Sequence, residues 1–134
     1  MTASEMARVL VVDDDPACRL TLETILKAGG YCVDSAASAA EAVEKLEEQE
    51  YELVLSDLRM ESPDAGYRVL AHARTVVNRP ATALITTETS RGALDQDRVF
   101  IEPQGVQELL TQVADLISDR ADRRMRRHMR VQTA

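Results

Sequence analysis

The chain is poor in the residues that build redox and metal scaffolds. Its two cysteines, Cys18 and Cys32, stand in no ligand spacing, so neither a disulfide framework nor a zinc site is indicated. Both are expected to be small buried thiols of a cytoplasmic protein. Long apolar runs are missing too. No stretch approaches the roughly 18 apolar residues of a membrane span, and the opening MTASEMARVL lacks the basic-then-apolar plan of a signal peptide. A membrane association is therefore not expected. Net positive charge is also absent: the balance is -7, which argues against binding nucleic acid over the whole surface. What is present is a one-domain length of 134 residues, 45% of them apolar, enough for a core without staples. The charge is unevenly spread. Residues 1–117 hold 21 acids and 10 bases, while residues 118–134 hold Asp119 and Asp122 against six arginines. This divides the chain into a domain, 1–117, and an arginine-rich C-terminal helix extension, 118–134.

Short apolar runs alternate with helical patterns. Arg8 to Val12 reads as a buried strand that ends abruptly in Asp13-Asp14-Asp15-Pro16. Asp15 is placed to cap a helix with Pro16 at its first position, and the stripe of Leu22, Ile25 and Leu26 stops at Gly29-Gly30. Tyr31 to Ser35 is a second strand. Ser38 and Glu41 have capping-box spacing ahead of a helix through Ala42, Val43 and Leu46. Tyr51 to Ser56 is a third strand, closed by Asp57. Tyr67, Leu70, Ala71, Arg74 and Val77 mark a third helix, ended by Asn78-Arg79-Pro80. Ala81 to Thr86 and Arg98 to Ile101 complete five strands. A last helix follows from the three-four spacing of Val106, Leu109, Leu110, Val113, Leu116 and Ile117.

Strands alternating with helices imply an α/β fold, a doubly wound five-stranded parallel sheet in the order 2-1-3-4-5. Its switch point lies between the first and third strands, and ligands bind at the carboxyl ends there. Those ends carry Asp13, Asp14 and Asp57. Three converging carboxylates repel unless a hard cation is shared, and Mg²⁺ suits a shallow site of few protein oxygens. The plainer reading of Asp-Asp-Asp-Pro is a helix start alone. Asp57, closing a second apolar strand, favours the site, since a buried charge without a role is rare.

RVLVVDDDP, YELVLSDLRM and ATALITTE, in this order and spacing, resemble the signature blocks of the response regulator receiver domain of two-component signalling, across residues 7–117. The resemblance implies a flavodoxin-like fold and a phosphoacceptor rather than an enzyme in the ordinary sense. By it, Asp57 takes a phosphoryl group from a sensor histidine kinase or phosphotransfer protein, or from a small acyl phosphate. Asp14 binds Mg²⁺ directly and Asp13 largely through water, with Asp57 and the main-chain carbonyl of Arg59 as further ligands. Thr86 supplies the switch hydroxyl at the end of the fourth strand; the plainer reading is a strand threonine. With one domain's length, output is expected through contacts with a downstream protein.

The pattern also breaks. The family ends its fifth strand in Lys-Pro, whereas this chain reads Val99-Phe100-Ile101-Glu102-Pro103, and its only lysines, Lys27 and Lys45, fall on helices. Either Glu102 replaces the lysine, or the lysine is deleted and Phe100 stands as the switch aromatic; both remain open. The crossover between Thr87 and Asp97 is near the minimum length, so the fourth helix is expected to be shortened. A degenerate receiver, acting as a phosphorylation-independent interaction module, is the alternative function. Two others fit less well. A haloacid-dehalogenase-type phosphatase shares the Asp13-x-Asp15 start but needs a later lysine and acidic pair, and a flavin binder needs a phosphate loop after the first strand.

Beyond Ile117 the helical pattern continues through Ala121, Met125 and Met129 to about Arg130. Its arginines are read first as a solvated or frayed tail, second as a means of self-association or homodimer formation, and last as a nucleic-acid contact, because the run is short and lacks aromatics.

Overall fold

The structure, a computed structural model, describes residues 6–57, 60–85, 100–101 and 104–133. Within these, strands β1 (Arg8–Val12), β2 (Cys32–Ala36), β3 (Leu53–Asp57), β4 (Ala81–Ile85) and the two-residue β5 (Phe100–Ile101) form a parallel sheet in the order β2-β1-β3-β4-β5. Four helices accompany them: α1 (Pro16–Ala28), α2 (Ala39–Glu48), α3 (Ala65–Ala73) and α4 (Val106–Thr133). The doubly wound parallel arrangement agrees with the sequence. The expected shortened fourth helix falls at 87–97, outside the described residues.

Because side chains alternate across a strand, β1 to β4 feed two cores. Leu10, Val12, Val54 and Leu84 face one layer, where Ala42 and Leu46 of α2 meet Val69, Leu70 and Ala73 of α3. Val9, Val11, Leu53, Leu55 and Ala83 face the other, against Leu26 of α1 and Leu109 and Val113 of α4. Strands covered on both faces cannot alternate with polar residues, which is why RVLVV and ELVL read as continuous apolar runs. Helices α1 and α2 begin where the sequence provides a cap. The Asp15 carboxylate accepts the Ala17 N–H at 3.0 Å and the Ser38 hydroxyl accepts the Glu41 N–H at 3.1 Å. α1 ends with the Gly30 N–H donating to the Lys27 carbonyl and the Tyr31 N–H to the Leu26 carbonyl, both at 3.1 Å. That closure requires a left-handed residue, and Gly30 has φ +98°.

Several expectations are corrected. Cys18 is exposed and Cys32 half-buried, so neither is a core thiol; Cys18 lies on the solvent side of α1, where its Sγ donates to Asp15 at 3.3 Å. Tyr51 precedes β3 rather than opening it, and its buried phenol donates to Asp34 Oδ2 at 2.8 Å. Desolvation, then that bond, push the phenol above its ordinary range. Helix α3 stops at Ala73, leaving Val77 98% exposed in the turn that follows. Val106 opens α4 with its side chain in solvent.

The arginine-rich segment is continuous with α4, and its first arginine is not part of a solvated tail. Arg120 is only 8% exposed; its Nη2 donates to the Asn78 carbonyl at 2.7 Å and its Nε to the Arg79 carbonyl at 3.0 Å. Sequence alone could not single it out, because its acceptors are main-chain oxygens about forty positions away. Farther along, Ala121, Met125 and Met129 stand exposed. No helix among the described residues is long and apolar enough to cross a membrane.

Two substitutions test these contacts. Gly30→Ala forces a Cβ into the left-handed region and is expected to cost about 1 kcal/mol. On a chain of this size that is a drop of roughly 3–5 °C in Tm. Arg120→Met removes two charge-assisted bonds and is expected to cost about 2–3 kcal/mol by urea unfolding, against no more than ~0.5 kcal/mol for Arg126→Ala on the exposed helix face.

Candidate functional site

β1 and β3 run parallel with Val12 opposite Ser56. One residue further, Asp13 and Asp57 come abreast at the carboxyl edge of the sheet, with Asp14 beside them. One carboxylate oxygen from each of the three lies within 4.8 Å of the others. Asp13 is buried, Asp57 half-buried and Asp14 exposed, so the cluster opens to solvent on one side. Asp13 is held from three directions. Its N–H donates to the Ala36 carbonyl at 3.1 Å, its Oδ1 accepts the Asp15 N–H at 2.9 Å, and its carbonyl accepts Arg19 Nη1 at 2.8 Å. Asp15 caps α1, while Asp13 and Asp14 stand with Asp57 in the carboxylate cluster.

Burial pushes the Asp13 carboxyl above its usual range, and the Asp14 and Asp15 charges act in the same direction; the Asp15 N–H and Arg19 oppose them. Asp15 is held low by the Cys18 thiol and the Ala17 N–H. The Cys18 thiol is in turn pushed up, first by its bond to Asp15, then by desolvation and the charges of Asp15, Asp13 and Asp57. In this geometry the thiol is a hydrogen-bond donor at the rim of the cluster. Cys18 and Arg19 were missed from sequence. The available signal was their position three and four residues after Asp15, one helical turn along the same face.

The other predicted residues divide. Thr86, Arg59 and Glu102 lie outside the described residues, as does Pro103. Phe100 has its backbone in β5, paired with Leu84. Neither lysine stands at the cluster: Lys27 is in the last turn of α1, at the end away from Asp15 and 3.7 Å from Glu23, and Lys45 is in the last turn of α2. In the loop after β3, Glu61 Oε2 accepts the Ala39 N–H at 3.1 Å and lies 3.5 Å from Arg68 Nη2. Among the described residues the cluster's own donors are hard carboxylate oxygens open to water, which suit Mg²⁺ with several waters retained.

A family profile for the response regulator receiver domain matches residues 9–102. Among curated proteins, the chain is 37% identical over 109 residues to the transcriptional regulatory protein GlrR of Escherichia coli, an alignment covering 81% of this chain and 23% of that one. It is 32% identical over 127 residues to a gliding motility regulatory protein of Myxococcus xanthus, covering 87% and 16%. The chain thus spans less than a quarter of the length of these two relatives. Among solved structures, the response regulator TrrA of Thermotoga maritima, determined with Mg²⁺-BeF, superposes with TM-score 0.71 at 29% identity over 83% of this chain and 99% of that one. Chemotaxis response regulator CheY4 of Vibrio cholerae gives 0.69 at 26% identity over 83% and 98%.

Burial of the Asp13 carboxylate, with the Asp14 and Asp15 charges beside it, opposes folding while it is ionised. Asp13→Asn keeps the acceptor for the Asp15 N–H and removes one charge, so in chelator at pH 7 it is expected to melt above wild type. Because the folded-state pKa of Asp13 is raised, its ionisation opposes folding at neutral pH and ceases to do so as pH falls below both folded and unfolded values. The gap between variant and wild type should therefore close on acidification. Mg²⁺ at 100 times its Kd should stabilise wild type by about 2.7 kcal/mol, and the variant by less.

Proposed function

The chain belongs to the response regulator receiver domain family of two-component signalling, and from that premise we propose that Asp57 is its phosphoacceptor. The observation that carries the reading is the placement of Asp57 at the end of β3, abreast of Asp13 and with both carboxylates in reach of Asp14. An Asp57 oxygen attacks the phosphorus of a phosphohistidine on a sensor histidine kinase or phosphotransfer protein. The O–P bond forms, the P–N bond breaks, and the imidazole nitrogen keeps the electron pair and takes up a proton. The same attack on a small acyl phosphate expels a carboxylate.

Asp13, Asp14 and Asp57 would hold Mg²⁺, with the Arg59 carbonyl as a fourth protein ligand. When bound, the ion supplies positive charge against the phosphoryl oxygens and relieves the repulsion among the three carboxylates. Asp13, buried on the sheet side and held by the Asp15 N–H and Arg19, would bind the ion largely through water. Thr86 is the proposed switch hydroxyl, and Glu102 or Phe100 stands where the family keeps its lysine or its switch aromatic. Residues 1–117 form the receiver unit in this reading, with 118–134 as its extension, and the signal passes to a downstream protein through surface contacts.

One observation favours a second reading, a phosphorylation-independent interaction module: neither Lys27 nor Lys45 stands at the carboxylate cluster. Intact-mass measurement after incubation with acetyl phosphate and Mg²⁺ separates the two. One added phosphoryl group, lost in Asp57→Asn, is the expected result. An unchanged mass, together with an amide spectrum that beryllofluoride and Mg²⁺ leave unshifted, would establish the second reading instead.

A further inference from the structure

At the amino edge of the sheet, the edge opposite Asp57, a cleft of about 470 Å³ opens between the turn after α3 and the second half of α4. Six arginines line it, Arg74, Arg79, Arg120, Arg123, Arg124 and Arg127, against a single acid, Asp119, among the described residues. Four of the six come from α4 at positions i, i+3, i+4 and i+7, a spacing that sets them along one helix face. We propose that this cleft binds a small anion carrying two or more adjacent phosphate groups. The proposal is independent of phosphoryl transfer to Asp57.

The cleft is built rather than merely basic. Arg120 is buried at its floor and locked by the Asn78 and Arg79 carbonyls, with Arg124 Nη1 3.5 Å from the same Asn78 oxygen. Asn78 is fixed in turn, its Nδ2 donating to the Tyr51 carbonyl at 2.7 Å. Arg79 holds φ +43°, a left-handed conformation that side chains other than glycine and asparagine rarely adopt. Strained backbone of this kind persists where its surroundings fix it, and tends to mark sites. Here the Arg79 N–H donates to Val76 and its carbonyl is held by Arg120, so a guanidinium is presented from a rigid turn.

Charge then selects the ligand. Guanidinia crowded on one wall repel one another: after desolvation, the Arg124 charge is the largest influence disfavouring the charged form of Arg120, with Arg123 adding to it and Glu52 and Glu50 opposing. A multiply charged anion offsets that repulsion, and planar guanidinium groups match phosphate oxygens in pairs. A long polyanion fits less well. Beyond Val77 and Asn78, which also border the cleft, the next hollow is lined by Glu47, Glu48 and Glu50, so a nucleic-acid backbone leaving the cleft on that side meets carboxylates.

The test is isothermal titration of the full chain in EDTA, which keeps the aspartate cluster free of metal, with inorganic tripolyphosphate as the probe. Saturable binding at one site is expected, weakening as NaCl rises and unchanged in Asp57→Asn. In Arg123→Ala/Arg127→Ala, whose replaced side chains are exposed and whose fold is checked by circular dichroism, affinity should fall at least tenfold. Absence of binding at millimolar tripolyphosphate, or equal binding by the double variant, would overturn the proposal. So would two other results: binding of a short DNA duplex without binding of tripolyphosphate, or a dimer that the double variant dissociates while tripolyphosphate gives no heat. These would assign the cleft to nucleic acid or to a second copy.

Discussion

The parallel pairing of β1 with β3 is the constraint on which the rest depends. It brings two apolar strands side by side in a register that ends both on aspartate at the same height. Like charges in such proximity oppose the fold that creates them. The sheet tolerates this because both strands are buried on both faces, with Val9 to Val12 and Leu53 to Leu55 all but inaccessible. Apolar burial of that extent outweighs the local repulsion, and the charges stay together at the open edge.

Much of this was legible in the sequence for a physical reason. Strands covered on both sides must be continuous apolar runs, so RVLVV, ELVL and ATALI announce themselves, and a run that stops at aspartate marks the functional edge. Caps were legible too, since Asp15 and Ser38 act on hydrogen bonds two and three residues away. What stayed hidden was set by tertiary contact. The exposure of Cys18 depends on which side of α1 meets the sheet, and the burial of Arg120 depends on carbonyls contributed by a distant turn. Val77 continues the apolar spacing of α3 in sequence, yet the helix has already ended at Ala73 and the side chain lies in water. Periodicity describes a face; it does not say where the face stops.

The molecule separates its charges by the length of its strands. Five residues of β-structure put roughly 17 Å between the carboxylate edge and the opposite edge, where α4 gathers its arginines. That distance exceeds the screening length at physiological salt, so the two ends act as separate electrostatic environments in one small domain. The uneven charge along the sequence becomes a polarity in space only because α4 runs unbroken from the core into its arginine segment.

Glu61 joins two parts of the fold that the sheet does not. Its carboxylate sits in the loop leaving β3, four residues after Asp57, yet it completes the first turn of α2 through the Ala39 N–H. The start of α2 therefore relies on an acceptor supplied by that loop. The β3 loop and the α2 terminus are thus joined by a side chain as well as by the sheet, and the start of α2 depends on a residue that belongs to neither α2 nor β2.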